Sequence, residues 1–448
     1  MAENDRRQFI KKIGLATASV AAAGSGFASS GKTTTYLKRT NPFPPSKAVN
    51  IALIGAGGMG TEDTTTCLRH EGTKLVAVCD LYQGRLKAAK ERWGEGLFAT
   101  SDYKEILSRE DVDAVIIGTP DHWHKQISVD ALNAGKHAYC EKPMVHSVEE
   151  GHEVISAWKK SGKIFMVGSQ GLSSLGNEKA KELLAEGAIG EINYAEGFWA
   201  RHSPVGAWQY PIPDDASEKT VDWERYISNT TQRPFDPLRF FRWRNYLDYG
   251  TGMSGDLFVH LFSSLHFITR SMGPTKVSAM GGLRYWKDGR EVPDVLLGMF
   301  DYPETEAHPG FNLSLRCNFV DGTSGTTYLR IVGSKGSMDV EWEKVTLRRN
   351  SGSDQDDFAK AKAKEAGAMA SERKKMVPPE EVVYKAEDGY KGAHYDHFGN
   401  FLRAIRTGGS VVEDPVFGFR AAAPALLCND SYFQNKFINW NPVEMKVV

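Results

Sequence analysis

Hydrophobic positions in the first third of the chain come in short unbroken runs. Ile51-Ala52-Leu53-Ile54, Leu75-Val76-Ala77-Val78-Cys79 and Ala114-Val115-Ile116-Ile117 are separated by stretches with helical patterning. That β-α-β-α-β alternation predicts a doubly wound parallel sheet of the Rossmann type, with a further strand over His137–Cys140. Beyond Gly168 the pattern changes to frequent alternation with Gly and Pro breaks. It predicts strands over Ile192–Trp199, Lys276–Leu283, Val292–Tyr302, Leu313–Phe319 and Thr326–Val332, hence an α+β domain with a large open, mostly antiparallel sheet. The expected organisation is residues 1–28 as a leader, 29–47 as a polar, unstructured linker, 48–168 as the domain of the parallel sheet and 169–448 as the α+β domain.

The first run ends in Gly55-Ala56-Gly57-Gly58-Met59-Gly60, the G-x-G-x-x-G spacing. Gly55 permits a tight turn, Gly57 a close backbone approach to a pyrophosphate and Gly60 close packing of the next helix, whose N-terminus offers free N–H groups to phosphates. Alone, the spacing also describes an ordinary turn. The second run ends in Asp80, which can accept hydrogen bonds from a ribose 2′-hydroxyl and would repel a 2′-phosphate, so NAD is expected over NADP, although Arg85 lies nearby.

At 448 residues the chain has material for two domains and large cores. The balance of 55 basic and 56 acidic side chains gives a net charge of -1, with no broad field to draw nucleic acid or an anionic membrane. Five scattered cysteines, Cys67, Cys79, Cys140, Cys317 and Cys428, lack the spacing of a zinc site or a disulfide framework and read as buried thiols. His122 and His124 flank Trp123 without a third ligand nearby, so no metal is expected.

The N-terminus differs in character. Arg6-Arg7-Gln8-Phe9-Ile10 precedes an apolar stretch from Ile13 to Ala23, too short and weak for a permanent membrane span, followed by small residues through Ala28. It resembles a twin-arginine export signal and implies recognition by that export machinery and a periplasmic or otherwise exported protein. A charged insert over Ser351–Lys375 is expected to be an exposed helix.

After the third run come Thr119-Pro120, His124, Gly135-Lys136-His137 and Glu141-Lys142-Pro143; later come Ile331–Gly336, His397–Phe401 and Val412-Glu413-Asp414. In this order the chain resembles the Gfo/Idh/MocA oxidoreductases, the family of glucose-fructose oxidoreductase, from about Val49 to the C-terminus. Lys142, at a strand's carboxyl end, would lie where ligands sit in open α/β sheets and could stabilise an alkoxide; a surface lysine in a strand-to-helix turn is the plain alternative. The resemblance implies a cis Pro143, cofactor contacts from Thr119, Pro120, His124, Glu141 and Lys142 beside Gly55, Gly57, Gly58, Met59, Gly60 and Asp80, and Trp123 near the nicotinamide. It also implies a second sheet with one face for oligomer contacts.

Asp256 and His260 stand at i and i+4, close enough on a helix for the carboxylate to orient the imidazole as a base or to form a mere surface link. By resemblance, His260 is the general acid/base, Asp256 binds substrate and orients it, and Lys142 completes the triad. Many relatives carry an acid three residues after this histidine; here Ser263 stands instead. Gln170, Arg201, Trp208 and Arg244 are candidate substrate contacts. The aromatic and arginine-rich loop from Trp199 to Arg244 reads equally as a carbohydrate cleft or as packing of a long connection. His266, His394 and His397 read as structural.

An exported dehydrogenase cannot exchange spent cofactor with the cytoplasmic pool, so the dinucleotide is expected to stay bound and be regenerated within the cycle. The expected activity is oxidation of a sugar or glycoside hydroxyl. The alternatives are a redox-neutral glycoside hydrolase or lyase acting through a 3-keto intermediate, and a non-catalytic NAD-binding sensor or scaffold.

Overall fold

The computed structural model describes residues 33–39, 48–323, 325–350 and 379–448. The leader and the charged insert lie outside the described residues. After a first strand, β1 (Thr33–Leu37), the chain builds six parallel strands. They are β2 (Val49–Ile54), β3 (Thr73–Cys79), β4 (Phe98–Thr100), β5 (Ala114–Ile117), β6 (His137–Cys140) and β7 (Phe165–Val167). Their spatial order is β4-β3-β2-β5-β6-β7. The chain runs outward from β2 to β4 and then crosses back to β5, so the switch point, where such sheets bind ligands, lies at the carboxyl ends of β2 and β5.

The second sheet uses β8 (Ile192–Ala200), β9 (Lys276–Gly282), β10 (Val295–Tyr302), β11 (Phe311–Asn318), β12 (Thr327–Gly333), β13 (Gly336–Glu341), β14 (Lys344–Arg349), β15 (Glu380–Ala386), β16 (Ile438–Asn441) and β17 (Lys446–Val447). With β1 it has the order β1-β15-β14-β13-β12-β8-β11-β10-β9-β16-β17. Among the described residues of this sheet, only β1 with β15 and β8 with β11 pair in parallel. The five strands expected in this domain all form, within a few residues of their expected ends.

One face of this sheet is covered by the helix Val259–Thr269, buried continuously from Val259 to His266. A helix apolar on all sides must be enclosed. It lies so close to β8 that a Cβ on Gly197 would stand 2.9 Å from Leu261 Cδ1. On the opposite face the alternation along β9 and β10 leaves Met280, Leu297 and Met299 exposed.

Two departures from the expected organisation have simple causes. The linker is not unstructured throughout: β1 adds to the rim of the second sheet, and Arg39 beyond it forms ion pairs with Glu178 at 2.7 Å and Asp396 at 2.6 Å. Polar sequence concealed this strand because an edge strand needs only backbone pairing on one side. Nor does the division at Gly168 hold to the C-terminus. The helix Ala393–Thr407 returns to the first sheet, where Phe398, Phe401 and Leu402 share a core with Ile51, Leu53, Ile116 and Tyr139. Each such aromatic contributes about 1.5–3 kcal/mol by burial.

Candidate active site

The glycine turn is shaped by contacts that only glycine permits. Gly55 has φ +94°, and a Cβ there would stand 2.6 Å from the Gly118 carbonyl carbon. At Gly60 it would meet the Gly55 oxygen at 2.1 Å, so this glycine sets how closely the helix Gly58–Leu68 rests on β2. Gly57 and Gly58 differ: a Cβ meets nothing nearer than 3.8 Å at the first and nothing within 4 Å at the second. Their backbones therefore face open space at a helix N-terminus, which fits a dinucleotide's pyrophosphate.

Asp80, at the end of β3, is buried and ties this turn down. Its Oδ2 accepts the Ala56 N–H at 2.8 Å and its Oδ1 the Tyr82 N–H at 2.9 Å. A carboxylate has capacity for further donors, which suits ribose hydroxyls. Arg85 sits 3.5 Å from Asp80 and lies over the rings of Phe240 and Phe241. Its charge is thus partly matched by the same acid that disfavours a 2′-phosphate.

The turn and Asp80 open into a cleft of about 640 Å³ between the two sheets, whose lining also includes Met59, Pro120, Lys142, Asp256 and His260. Lys142 follows β6, with the expected cis bond to Pro143. Its Nζ donates to the Asp256 carbonyl at 2.9 Å and to Asp256 Oδ1 at 3.0 Å, while Arg244 Nε donates to the same Oδ1 at 3.2 Å. Burial opposes ionisation of Asp256, but Lys142, Arg244 and Arg201 outweigh it and hold the carboxyl well below the usual range.

Asp256 and His260 do share the cleft, yet among the described residues no hydrogen bond joins them. Ser254–Phe258 forms a π turn, entered where a Cβ on Gly255 would stand 2.1 Å from Thr251 Oγ1. The wider turn replaces the i,i+4 geometry of an α-helix, and the carboxylate is taken by the two cations. His260 is held by indoles: it stacks on Trp199 with centroids 5.3 Å apart and meets Trp342 edge-on at 5.9 Å. Burial and the charge of Lys142 push its pKa well below the usual value. The ring is therefore neutral, and its buried Nδ1 has no hydrogen-bond partner among the described residues.

Gln170, Arg201 and Arg244 line the cleft, while Thr119 lines a neighbouring cavity beside Asp80. Four residues expected at the site lie elsewhere. Trp208 is buried edge-on against Phe319, 4.7 Å between centroids, because its backbone turns through φ 64° into the core. His124 is enclosed behind the wall, its two ring nitrogens 2.7 Å from the Pro143 oxygen and 2.9 Å from that of Thr119. It ties the segment after β5 to the segment after β6. Glu141 turns away under the sheet, where Gln170 Nε2 donates to it at 2.6 Å. Trp123 lies on the Asp80 side of the cleft, not beside Lys142.

Sequence reasoning missed Trp342 and underrated His394. Trp342 sits at the tip of the β13–β14 hairpin, 36% exposed, and a large aromatic on a hairpin turn was its only signal. His394 reaches the cleft from the returning helix, bonded to Asp63 Oδ1 at 2.7 Å. His266 and His397 are structural, bonded to the Tyr302 hydroxyl and between Ser173 and the Val167 carbonyl. All five cysteines are buried and free. The described residues contain no cluster of three or more metal-ligating side chains and no helix long and apolar enough to cross a membrane.

Two family models match the chain. One, the Gfo/Idh/MocA oxidoreductase family with an NAD-binding Rossmann fold, covers residues 49–169; the other, the family's C-terminal domain, covers 225–339. A glycosyl hydrolase family 109 protein of Shewanella baltica is 30% identical over 49% of this chain and 50% of its own length. An alpha-N-acetylgalactosaminidase of Shewanella oneidensis is 29% identical over the same shares. The match thus spans about half the length of these curated relatives. A levoglucosan dehydrogenase solved with NADH aligns with a TM-score of 0.64 at 19% identity, over 88% of this chain and 99% of that one. With a six-stranded parallel sheet carrying the glycine turn and Asp80, and a large sheet closing the cleft behind Lys142, the chain belongs to the Gfo/Idh/MocA oxidoreductase family and its first domain binds NAD.

Proposed function

We propose that the protein oxidises a hydroxyl of a sugar or glycoside, passing the hydride to a tightly held NAD. The observation that carries this reading is the convergence of Lys142, Asp256 and neutral His260 on the cleft that begins at the glycine turn. Bound nicotinamide supplies the hydride acceptor. Lys142 donates to the reacting hydroxyl and stabilises the alkoxide as it forms. His260, neutral and lining the cleft, takes the hydroxyl proton. Asp256 fixes the lysine, Arg201 and Arg244 bind further hydroxyls, and Trp199 and Trp342 offer flat apolar faces to a pyranose ring.

The second reading is a redox-neutral glycosidase or lyase. Oxidation at C3 acidifies the C2 proton, the aglycone leaves C1, water adds and the hydride returns. The glycosyl hydrolase names of the sequence relatives favour it, and so does a cofactor that must be regenerated in place. A sensor or scaffold would not need a buried lysine and a neutral histidine at one cleft. The paired arginines and apolar stretch of the leader support export, and the apolar face around Met280 and Met299 supports a homo-oligomer.

The test is absorbance at the NADH band in purified protein, before and after a panel of sugars and aryl glycosides. A lasting rise with a sugar identifies net oxidation. Aglycone release without a net rise identifies the redox-neutral route. Neither response from any member of a broad panel sinks both.

A further inference from the structure

The loop from Trp199 to Arg244, which sequence leaves divided between sugar binding and packing, does something else along much of its length, from Gly206 on to Tyr249. It is strapped across the carboxyl ends of β3, β4 and β5, just beyond Asp80. Asp222 N donates to the Leu81 oxygen at 2.8 Å and Gln83 N to the Thr220 oxygen at 2.9 Å, in a short bridge between Tyr82 and Val221. Arg225 pairs with Asp102 at 2.9 Å. The Tyr226 carbonyl accepts from His122 Nε2 at 3.0 Å and from Trp123 Nε1 at 3.1 Å. Trp223, Tyr226, Phe240, Phe241 and Tyr249 form with Tyr82 a core of their own, separate from those of the two sheets. The His122-Trp123 pair is thereby explained: it is a clasp for this strap.

Between strap and sheet lies a cavity bounded on one side by Asp80, Tyr103 and Trp123 and on the other by Arg225, Tyr226 and Phe240. In a doubly wound fold the space beside the acid at the end of this strand takes the adenosine half of a dinucleotide. We propose that Arg225, Tyr226 and Phe240 form the outer wall of the adenosine subsite and that this wall makes the nucleotide resident. This rests on the reading of the cleft as an NAD-dependent redox site. Release then requires the strap to detach from Leu81, Asp102 and Trp123 together. Retention becomes a property of the second domain's insertion and not of the glycine turn, which alone holds exchangeable nucleotide equally well.

The experiment measures nucleotide dissociation from the full chain, following loss of protein-bound NADH fluorescence on dilution into excess NAD. Wild type is compared with Arg225→Ala, which leaves the strap's core untouched, and Phe240→Leu, which keeps it apolar. Wild type should release NADH more slowly than it turns over, and each variant should release it about tenfold faster or more, with circular dichroism unchanged. Release from both variants at the wild-type rate overturns the proposal. So does wild-type exchange faster than turnover, even where substrate still reduces the bound nucleotide and the redox reading stands. Failure of that reading shows separately, as tight NADH binding with no reduction by any substrate.

Discussion

Lys142 reaches Asp256 twice, through the carbonyl at 2.9 Å and the carboxylate at 3.0 Å, so one ion pair joins the end of a cofactor-sheet strand to the π turn of the second domain. The pair is largely buried, with side chains 10% and 7% exposed. It fixes the ammonium without neutralising the site, because Arg244 shares the same oxygen.

Lys142→Met should reduce turnover by about 10²-fold or more while bound nucleotide is retained, since the group lost acts on the forming alkoxide. Asp256→Ala should be worse for stability, leaving two buried cations without their anion, at a cost of about 3–5 kcal/mol. Thermal unfolding distinguishes the two. The native pKa of Asp256 is depressed, so its contribution is complete above the unfolded value of about 4 and is lost only as the solution becomes strongly acid. Between pH 5 and 9 the difference in unfolding free energy between wild type and Asp256→Ala should stay flat as far as this group is concerned. A carboxylate that titrates near neutrality would contradict the geometry.

Asp80 holds Arg85 at 3.5 Å while Phe240 and Phe241 support the guanidinium. Asp80→Ser removes the acid that repels a 2′-phosphate and releases the arginine toward it. The ratio of NADP to NAD affinity should rise by at least about tenfold, or about 1.4 kcal/mol. The same change removes the acceptor of the Ala56 and Tyr82 N–H groups, so NAD itself should bind more weakly. Titration with both nucleotides is the measurement; an unchanged ratio means Arg85 cannot reach the phosphate.

Gly57→Ala and Gly60→Ala separate cofactor binding from folding. A methyl at Gly57 meets nothing nearer than 3.8 Å, so the fold should persist and nucleotide affinity should fall as the methyl takes pyrophosphate space. At Gly60 the methyl would lie 2.1 Å from a backbone oxygen, which cannot yield without moving helix from strand, so stability should fall by about 1–3 kcal/mol or more. Unfolding curves and nucleotide titration should rank the two variants in opposite orders.

These contrasts also show what was legible in sequence. Unbroken apolar runs identified the parallel sheet because strands enclosed by helices carry no polar alternation. Lys142, Asp256 and His260, which the fold brings to one cleft, were singled out because each stands beside a local marker, a proline or a glycine-rich entry, that the family resemblance made readable. What escaped depends on long-range placement. The strand Thr33–Leu37 reads as polar linker because its partner is 349 residues away, Thr33 against Val382. Trp342 becomes part of the site only when its hairpin folds over His260, and Trp208 looks like a sugar contact until its backbone turns inward. Asp256 was paired with the wrong neighbour because a π turn leaves no mark in residue spacing.

Glu141 provides the pH-dependent case. It is buried beside Asp63, with the Gly168 backbone packed so closely that a Cβ there would stand 2.5 Å from its Oε1. Burial, then the neighbouring Asp63, raises its pKa to about 8, against the attraction of Lys142, His394 and His124. Because the native value lies above the unfolded one, the protonated group's contribution is complete below about pH 4.5 and is lost as pH rises toward 8. Glu141→Gln keeps an oxygen to accept from Gln170 and has no proton to lose. Relative to wild type, the variant should gain stability from pH 5 to 8, by at most about 1.4 kcal/mol per pH unit. Asp63 still titrates in both proteins, so only the difference between their profiles reports on Glu141. Denaturant midpoints measured at pH 5, 6.5 and 8 check this, and parallel profiles for the two proteins would show that the carboxyl is already ionised at pH 5.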